Sequence, residues 1–100
     1  MPQRIIVYWR DIPAQVIIKQ GRNSAKRQLA ERFEQAIDMA AMRAGKRDTD
    51  AYLAEWRKGE PEAIEGDDLE ALATAEAQRL EAEFSVEVVK ALVEKGGSAA

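Results

Sequence analysis

Residues 4–19 read Arg4-Ile5-Ile6-Val7-Tyr8-Trp9-Arg10-Asp11-Ile12-Pro13-Ala14-Gln15-Val16-Ile17-Ile18-Lys19, and this stretch decides the fold class. Residues 5–9 are β-branched or aromatic throughout, too few for a helix, and they run into Asp11-Ile12-Pro13. That is strand chemistry closed by a turn. Pro13 holds Ile12 extended and pre-sets the turn, after which residues 15–19 resume a β-branched run, so the two segments form an antiparallel hairpin. Ile5, Val7 and Trp9 share one face of the first strand, and Ile6 and Tyr8 the other. Both faces are partly apolar, which predicts cover on more than one side or pairing with a second copy of the chain.

Gln20-Gly21-Arg22-Asn23-Ser24 is dense in turn residues. The alternation through Lys26, Arg27, Gln28 and Leu29 is either a short third strand returning along the second or part of the first helix. Leu29, Phe33, Ala36, Ile37, Ala40, Ala41 and Ala44 keep one helical face, predicting a helix over about residues 31–44. Glu31 and Arg43 complement its dipole, and Gly45 can take the left-handed stop. Thr49 reads as the N-cap of a brief second helix in which Tyr52, Leu53 and Trp56 share a face, closed by Gly59 and Pro61. An acidic loop over residues 60–68 leads to a third helix capped by Asp67 or Asp68, with Leu69, Leu72, Ala73, Ala77, Leu80 and Phe84 at helical spacing. Ser85 caps a fourth over residues 86–95, with Phe84 and Val89 as its hydrophobic staple. The expected class is α+β: an N-terminal antiparallel β-hairpin of two or three short strands packed against about four α-helices. One globular domain covers residues 1–95, with a flexible tail over 96–100.

The 100 residues contain no Cys and no His, which removes disulfides, thiol nucleophiles, zinc fingers and imidazole bases from consideration. At 46% hydrophobic and 33% charged, the chain is too apolar for a disordered tail. Its apolar runs are too short for a membrane span or a signal segment, so a cytoplasmic location without membrane contact is expected. Charge is divided: residues 1–50 hold 10 Lys/Arg against 6 Asp/Glu, and residues 51–100 hold 5 against 12. The acidic pI of about 5.0 disfavours nucleic acid as a partner. Neither glycine-rich phosphate-binding pattern occurs. Glu60, Glu62, Glu65, Asp67 and Asp68 lack the ligand spacing of a calcium loop and read as a solvated linker, so no metal and no cofactor is expected.

Two groups of residues are candidates for binding. Trp9, Arg10 and Asp11 place an aromatic surface, a fork-shaped cation and a carboxylate at a strand end, the chemistry of a partner anchor. The favoured structural alternative buries Trp9 in the core and sets Asp11 to order the turn or pair with Arg10. Lys19, Arg22, Lys26 and Arg27 surround a glycine-containing turn without an intervening acid and could hold an anion. Their favoured alternative is a solubilising hairpin that repels edge pairing. Met39 and Met42 belong to the packing of the first helix or to its edge.

The run Ile6-Val7-Tyr8-Trp9-Arg10-Asp11-Ile12-Pro13-Ala14-Gln15-Val16, then Gly21-Arg22 and Glu31-Arg32-Phe33-Glu34-Gln35-Ala36-Ile37-Asp38, resembles a small bacterial virulence factor family. Asp50-Ala51-Tyr52-Leu53 and Trp56-Arg57 extend the resemblance over about the first 58 positions. The family shares its domain with the C-terminal part of the staphylococcal conserved virulence factor C. Ala30 departs from members that carry Pro there, where Pro would suit a first helical turn. The resemblance implies a stand-alone protein or the tail of a larger one, and brings no activity, cofactor or catalytic residue with it. The leading expectation is therefore a non-enzymatic protein-interaction or accessory module of a bacterial cytoplasmic assembly, with a protein partner and a homodimer as one arrangement. Some members sit beside genes of folate and corrinoid methyl transfer. That implies the alternative, an accessory subunit of a one-carbon enzyme that binds an anionic small molecule through Arg10 and the basic loop.

Overall fold

The computed structural model describes residues 1–46 and 48–98. Five strands, β1 (Gln3–Trp9), β2 (Ile12–Gln20), β3 (Asn23–Gln28), β4 (Trp56–Lys58) and β5 (Glu62–Ala63), form one antiparallel sheet. The helices are α1 (Glu31–Arg43), α2 (Thr49–Ala54), α3 (Leu69–Glu83) and α4 (Val86–Glu94). This is the expected α+β arrangement. The strand order is β3-β2-β1-β4, with β5 also on β1. β4 lies opposite Val7, Tyr8 and Trp9, and β5 lies opposite Gln3 and Arg4. Around them the Gly59 N–H donates to the Ile6 carbonyl at 2.7 Å and the Ile64 N–H to the Pro2 carbonyl at 3.0 Å. The ladder thus continues on both sides of Pro61, which has no N–H to give.

The open alternative after Gly21 resolves as a strand. Gln20 and Asn23 close a two-residue loop in which Gly21 has φ +59°, the glycine-first geometry that matches the twist of paired strands. β3 then runs to Gln28, and Ala30 at φ −54°, ψ 152° holds the chain extended until α1 starts at Glu31. The expected second helix needs correction: it ends at Ala54, and Trp56 leaves it as the first residue of β4. A helix of six residues has little cooperativity to hold it, whereas β1 offers a free edge. There Trp56 pairs with Trp9, and the Arg57 guanidinium lies 4.5 Å over the Tyr8 ring. The N-cap of α2 is Asp48, not Thr49. Two other caps form as expected: Asp68 Oδ1 accepts from the Ala71 N–H at 3.1 Å, and Ser85 Oγ from the Val88 N–H at 3.3 Å. Each such cap contributes about 0.5–2 kcal/mol.

One face of the sheet carries Ile6, Val16, Ile18 and Ala25, and α3 packs on β2 and β3 with Ala73, Ala77 and Leu80 buried. α1 packs on β2 and on α4. Trp9, Ile12, Phe33, Ile37, Ala40, Val89, Leu92 and Val93 belong to the same core. On the other face Ile5, Val7 and Ile17 lie outside that core, although Ile17 is buried. The expected tail also needs correction. Gly96 and Gly97 are buried, the Asp11 N–H donates to the Gly97 carbonyl at 2.9 Å, and the Gly97 N–H donates to Leu92 at 2.7 Å. Without a side chain, Gly97 lets backbone lie directly on the Trp9 ring. Residues 99–100 of the expected tail lie outside the described residues.

Arg4 ties β1 to α3 by donating to Glu76 at 2.9 Å, and it also meets Glu62 of β5. Arg79 donates to the same Glu76 carboxylate at 2.9 Å. Burial pushes the Glu76 pKa up, but the hydrogen bonds and charges of Arg4 and Arg79 outweigh it and leave the carboxyl below its ordinary value. A folded pKa below the unfolded one adds stability above the unfolded value and gives it up as pH falls through the folded one. Urea unfolding of the wild type and Glu76→Gln should therefore differ at neutral pH and converge as pH falls below about 4.

Candidate functional site

The hairpin corner brings Trp9, Arg10 and Asp11 together as a structural junction. Trp9 is fully buried, its indole N–H donates to the Tyr52 carbonyl at 2.9 Å, and its ring stacks on Tyr52 with centroids 5.8 Å apart. No face of Trp9 is left for a partner. Arg10 has φ +54°, rare for a residue with a side chain, and is held there from several directions. Its N–H donates to the Glu55 carbonyl at 3.0 Å, its Nε to Glu55 Oε2 at 2.6 Å, and its Nη1 to the Gly96 carbonyl at 3.2 Å. Asp11 meets Arg57 at 3.0 Å instead of Arg10, while Arg57 Nε donates to the Arg10 carbonyl at 2.9 Å. The corner thus joins the β1–β2 turn to the α2–β4 segment and to the chain after α4.

The basic residues do not converge. Pairing of Ile17 with Lys26 and Lys19 with Ser24 places Lys19 and Lys26 on the face opposite the α3-covered core. Arg27, paired with Val16, is on the covered face and donates to Thr74 Oγ1 of α3 at 2.6 Å. Arg22 sits in the hairpin loop between them. Lys58, which was not a candidate, joins the Lys19 and Lys26 face through its pairing with Val7.

Two further features draw on residues that sequence reasoning assigned to packing. Between α1 and α4 runs an open groove of about 410 Å³ lined by Ala36, Met39, Val86, Val89 and Val93. Met39, Met42 and Val86 are 53%, 58% and 63% exposed, so the methionines lie at the edge of the helix and not in its packing. Arg32, Arg43 and Lys90 rim the groove, with Glu94 the one acid among its lining residues. Arg32 is anchored by donating to the carbonyls of Phe84 at 2.9 Å and Glu81 at 2.7 Å, and it lies 4.3 Å over the Phe33 ring. The signal was present in residues 86–93, where Val86, Val88, Val89, Leu92 and Val93 spread around more of the helix than one buried stripe needs.

On the opposite flank of α1 lies a smaller cleft of about 210 Å³. Glu34 and Asp38, one turn apart on α1, face Gln15 and Gln28 from the sheet, and Tyr52 and Trp56 complete the lining. The two rings meet edge to face with centroids 6.0 Å apart. Burial raises the Tyr52 hydroxyl pKa, as do the Asp38 and Glu34 charges, while the Trp56 indole N–H opposes them. No helix among the described residues is long and apolar enough to cross a membrane, and no cluster of His, Cys, Asp or Glu there is arranged to hold a metal.

A family model described as "Virulence factor" matches residues 7–93. That span takes in the cleft and every groove-lining residue but Glu94, and stops short of Gly96 and Gly97 at the hairpin corner. No curated protein and no solved structure matches the chain.

Proposed function

The chain belongs to the virulence factor family, and from that premise we propose that it is a non-enzymatic interaction module, an accessory part of a bacterial protein assembly. The observation that carries the reading is the α1–α4 groove. An apolar, solvent-open trough lined by exposed Met39 and Val86 is costly to leave in water and suits the apolar stripe of an incoming helix. Its rim selects the partner. Three cations against one carboxylate make the rim positive on a chain whose formal net charge is −3, so the fitting occupant is an amphipathic helix with acidic flanks. A second copy docked groove to groove would set those cations against their own counterparts.

The probe is a synthetic amphipathic peptide of about four turns with leucines at i, i+3, i+4 and i+7 and glutamates on its flanks, compared with a lysine-flanked counterpart. The glutamate peptide should shift the methyl resonance of Met39, which lines the groove, with affinity falling as salt rises, and the lysine peptide should not. Reversing the rim with Arg43→Glu and Lys90→Glu should invert that preference. Equal binding of both peptides, or a Met39 methyl that stays unmoved, would remove this reading.

A further inference from the structure

We propose that the cleft on the other flank of α1 binds a guanidinium group. Its lining is rich in acceptors and poor in cations: the carboxylates of Glu34 and Asp38 on one side, the amide oxygens available from Gln15 and Gln28 on the other. Among the described residues neither Glu34 nor Asp38 has an ion-pair partner, so both carboxylates can accept from a ligand. Buried Leu29 and Ile37 give the cleft an apolar floor, and the Trp56 and Tyr52 rings give it an aromatic wall. Carboxylates beside an indole face are the surroundings that favour an organic cation.

Geometry selects the guanidinium over an ammonium. Acceptors lie on both sides of the cleft, and a planar group has five N–H donors in one plane to offer both. An ammonium presents three donors from a single point. The volume of about 210 Å³ is below the roughly 300–1,000 Å³ of sites that enclose a whole drug-sized ligand, so the cleft takes a head group and leaves the remainder outside. That group is carried either by a free small molecule or by the arginine side chain of a protein. Burial is the main cause of the raised Tyr52 pKa, and the Asp38 and Glu34 charges add to it; the same two carboxylates that repel a phenolate attract a cation.

The test is a fluorescence titration. Trp9 is buried with its indole N–H bonded, so a ligand-induced change reports Trp56. N-acetyl-arginine-N-methylamide should change the emission saturably, and the capped citrulline analogue, equal in shape but uncharged, should not. Glu34→Gln with Asp38→Asn should weaken the arginine compound about tenfold or more while far-UV circular dichroism stays unchanged, since both side chains are exposed and unpaired. Methylguanidine and the peptide Gly-Ser-Arg-Ser-Gly separate the sources. A peptide that binds at least as tightly as methylguanidine identifies a protein arginine, and a peptide that is excluded while methylguanidine binds identifies a free small molecule. Binding of the citrulline analogue equal to that of arginine, equal binding of capped lysine, or wild-type affinity in the double amide variant would each overturn the proposal. The Met39 and Met42 methyls lie on the other flank and should not respond, which keeps this outcome distinct from that of the groove.

Discussion

Trp9→Ala should unfold much of the protein, with an expected loss of about 3–5 kcal/mol from the 5–15 kcal/mol or so that holds an ordinary domain together. The magnitude follows from what the indole does. It is fully buried, stacks on Tyr52 and donates to the Tyr52 carbonyl, and the backbone of Gly97 lies against its edge. Truncation therefore opens a cavity where β1, α2 and the chain after α4 meet, and leaves a carbonyl without its donor. Urea unfolding followed by circular dichroism measures the loss, and Trp9→Phe should recover a large part of it because most of the ring area is kept. A Trp9→Ala variant with the wild-type midpoint would show that the corner is not held by this side chain.

Gly97→Ala carries the next largest expected effect. A Cβ at Gly97 would stand 2.9 Å from Trp9 Cζ3 and 3.2 Å from Trp9 Cε3, with the Ala40 Cβ at 3.4 Å. The ring cannot retreat, because it is already clasped by Tyr52 and the core. Overpacking of this kind costs about 1–3 kcal/mol. The backbone at φ +94° adds about 1–2 kcal/mol for a residue with a side chain. Gly45→Ala supplies the comparison: its φ is +73°, yet nothing lies within 4 Å of the added carbon. Thermal unfolding of both variants should show the larger drop at residue 97, and the difference between them measures the contact with Trp9. Equal drops would mean that the Gly97 backbone is not pressed on the ring.

The amino-acid sequence by itself determined every element whose signal is local. The β-branched runs on either side of Asp11-Ile12-Pro13 make the hairpin, the Phe33-Ala36-Ile37-Ala40 spacing makes α1, and Asp68 and Ser85 cap α3 and α4, because propensity, periodicity and capping act within a few residues. Trp56 escaped that reading: its helical spacing from Tyr52 is real, but a free edge on β1, where Trp9 lies 47 positions back, outweighs it, and no local pattern records a distant edge. Gly96 and Gly97 escaped for a related reason. Paired glycines after a helix look like a loose end, and only the approach of the Trp9 ring turns them into buried backbone. The same holds for binding. The four cations around Gly21 are neighbours in the chain, but strand alternation sets Lys19 and Lys26 on one face of the sheet and Arg27 on the other, with Arg22 in the loop. The groove and the cleft, by contrast, bring together residues from helices and strands far apart in the chain, and packing alone decided which methionines, carboxylates and rings were left facing water.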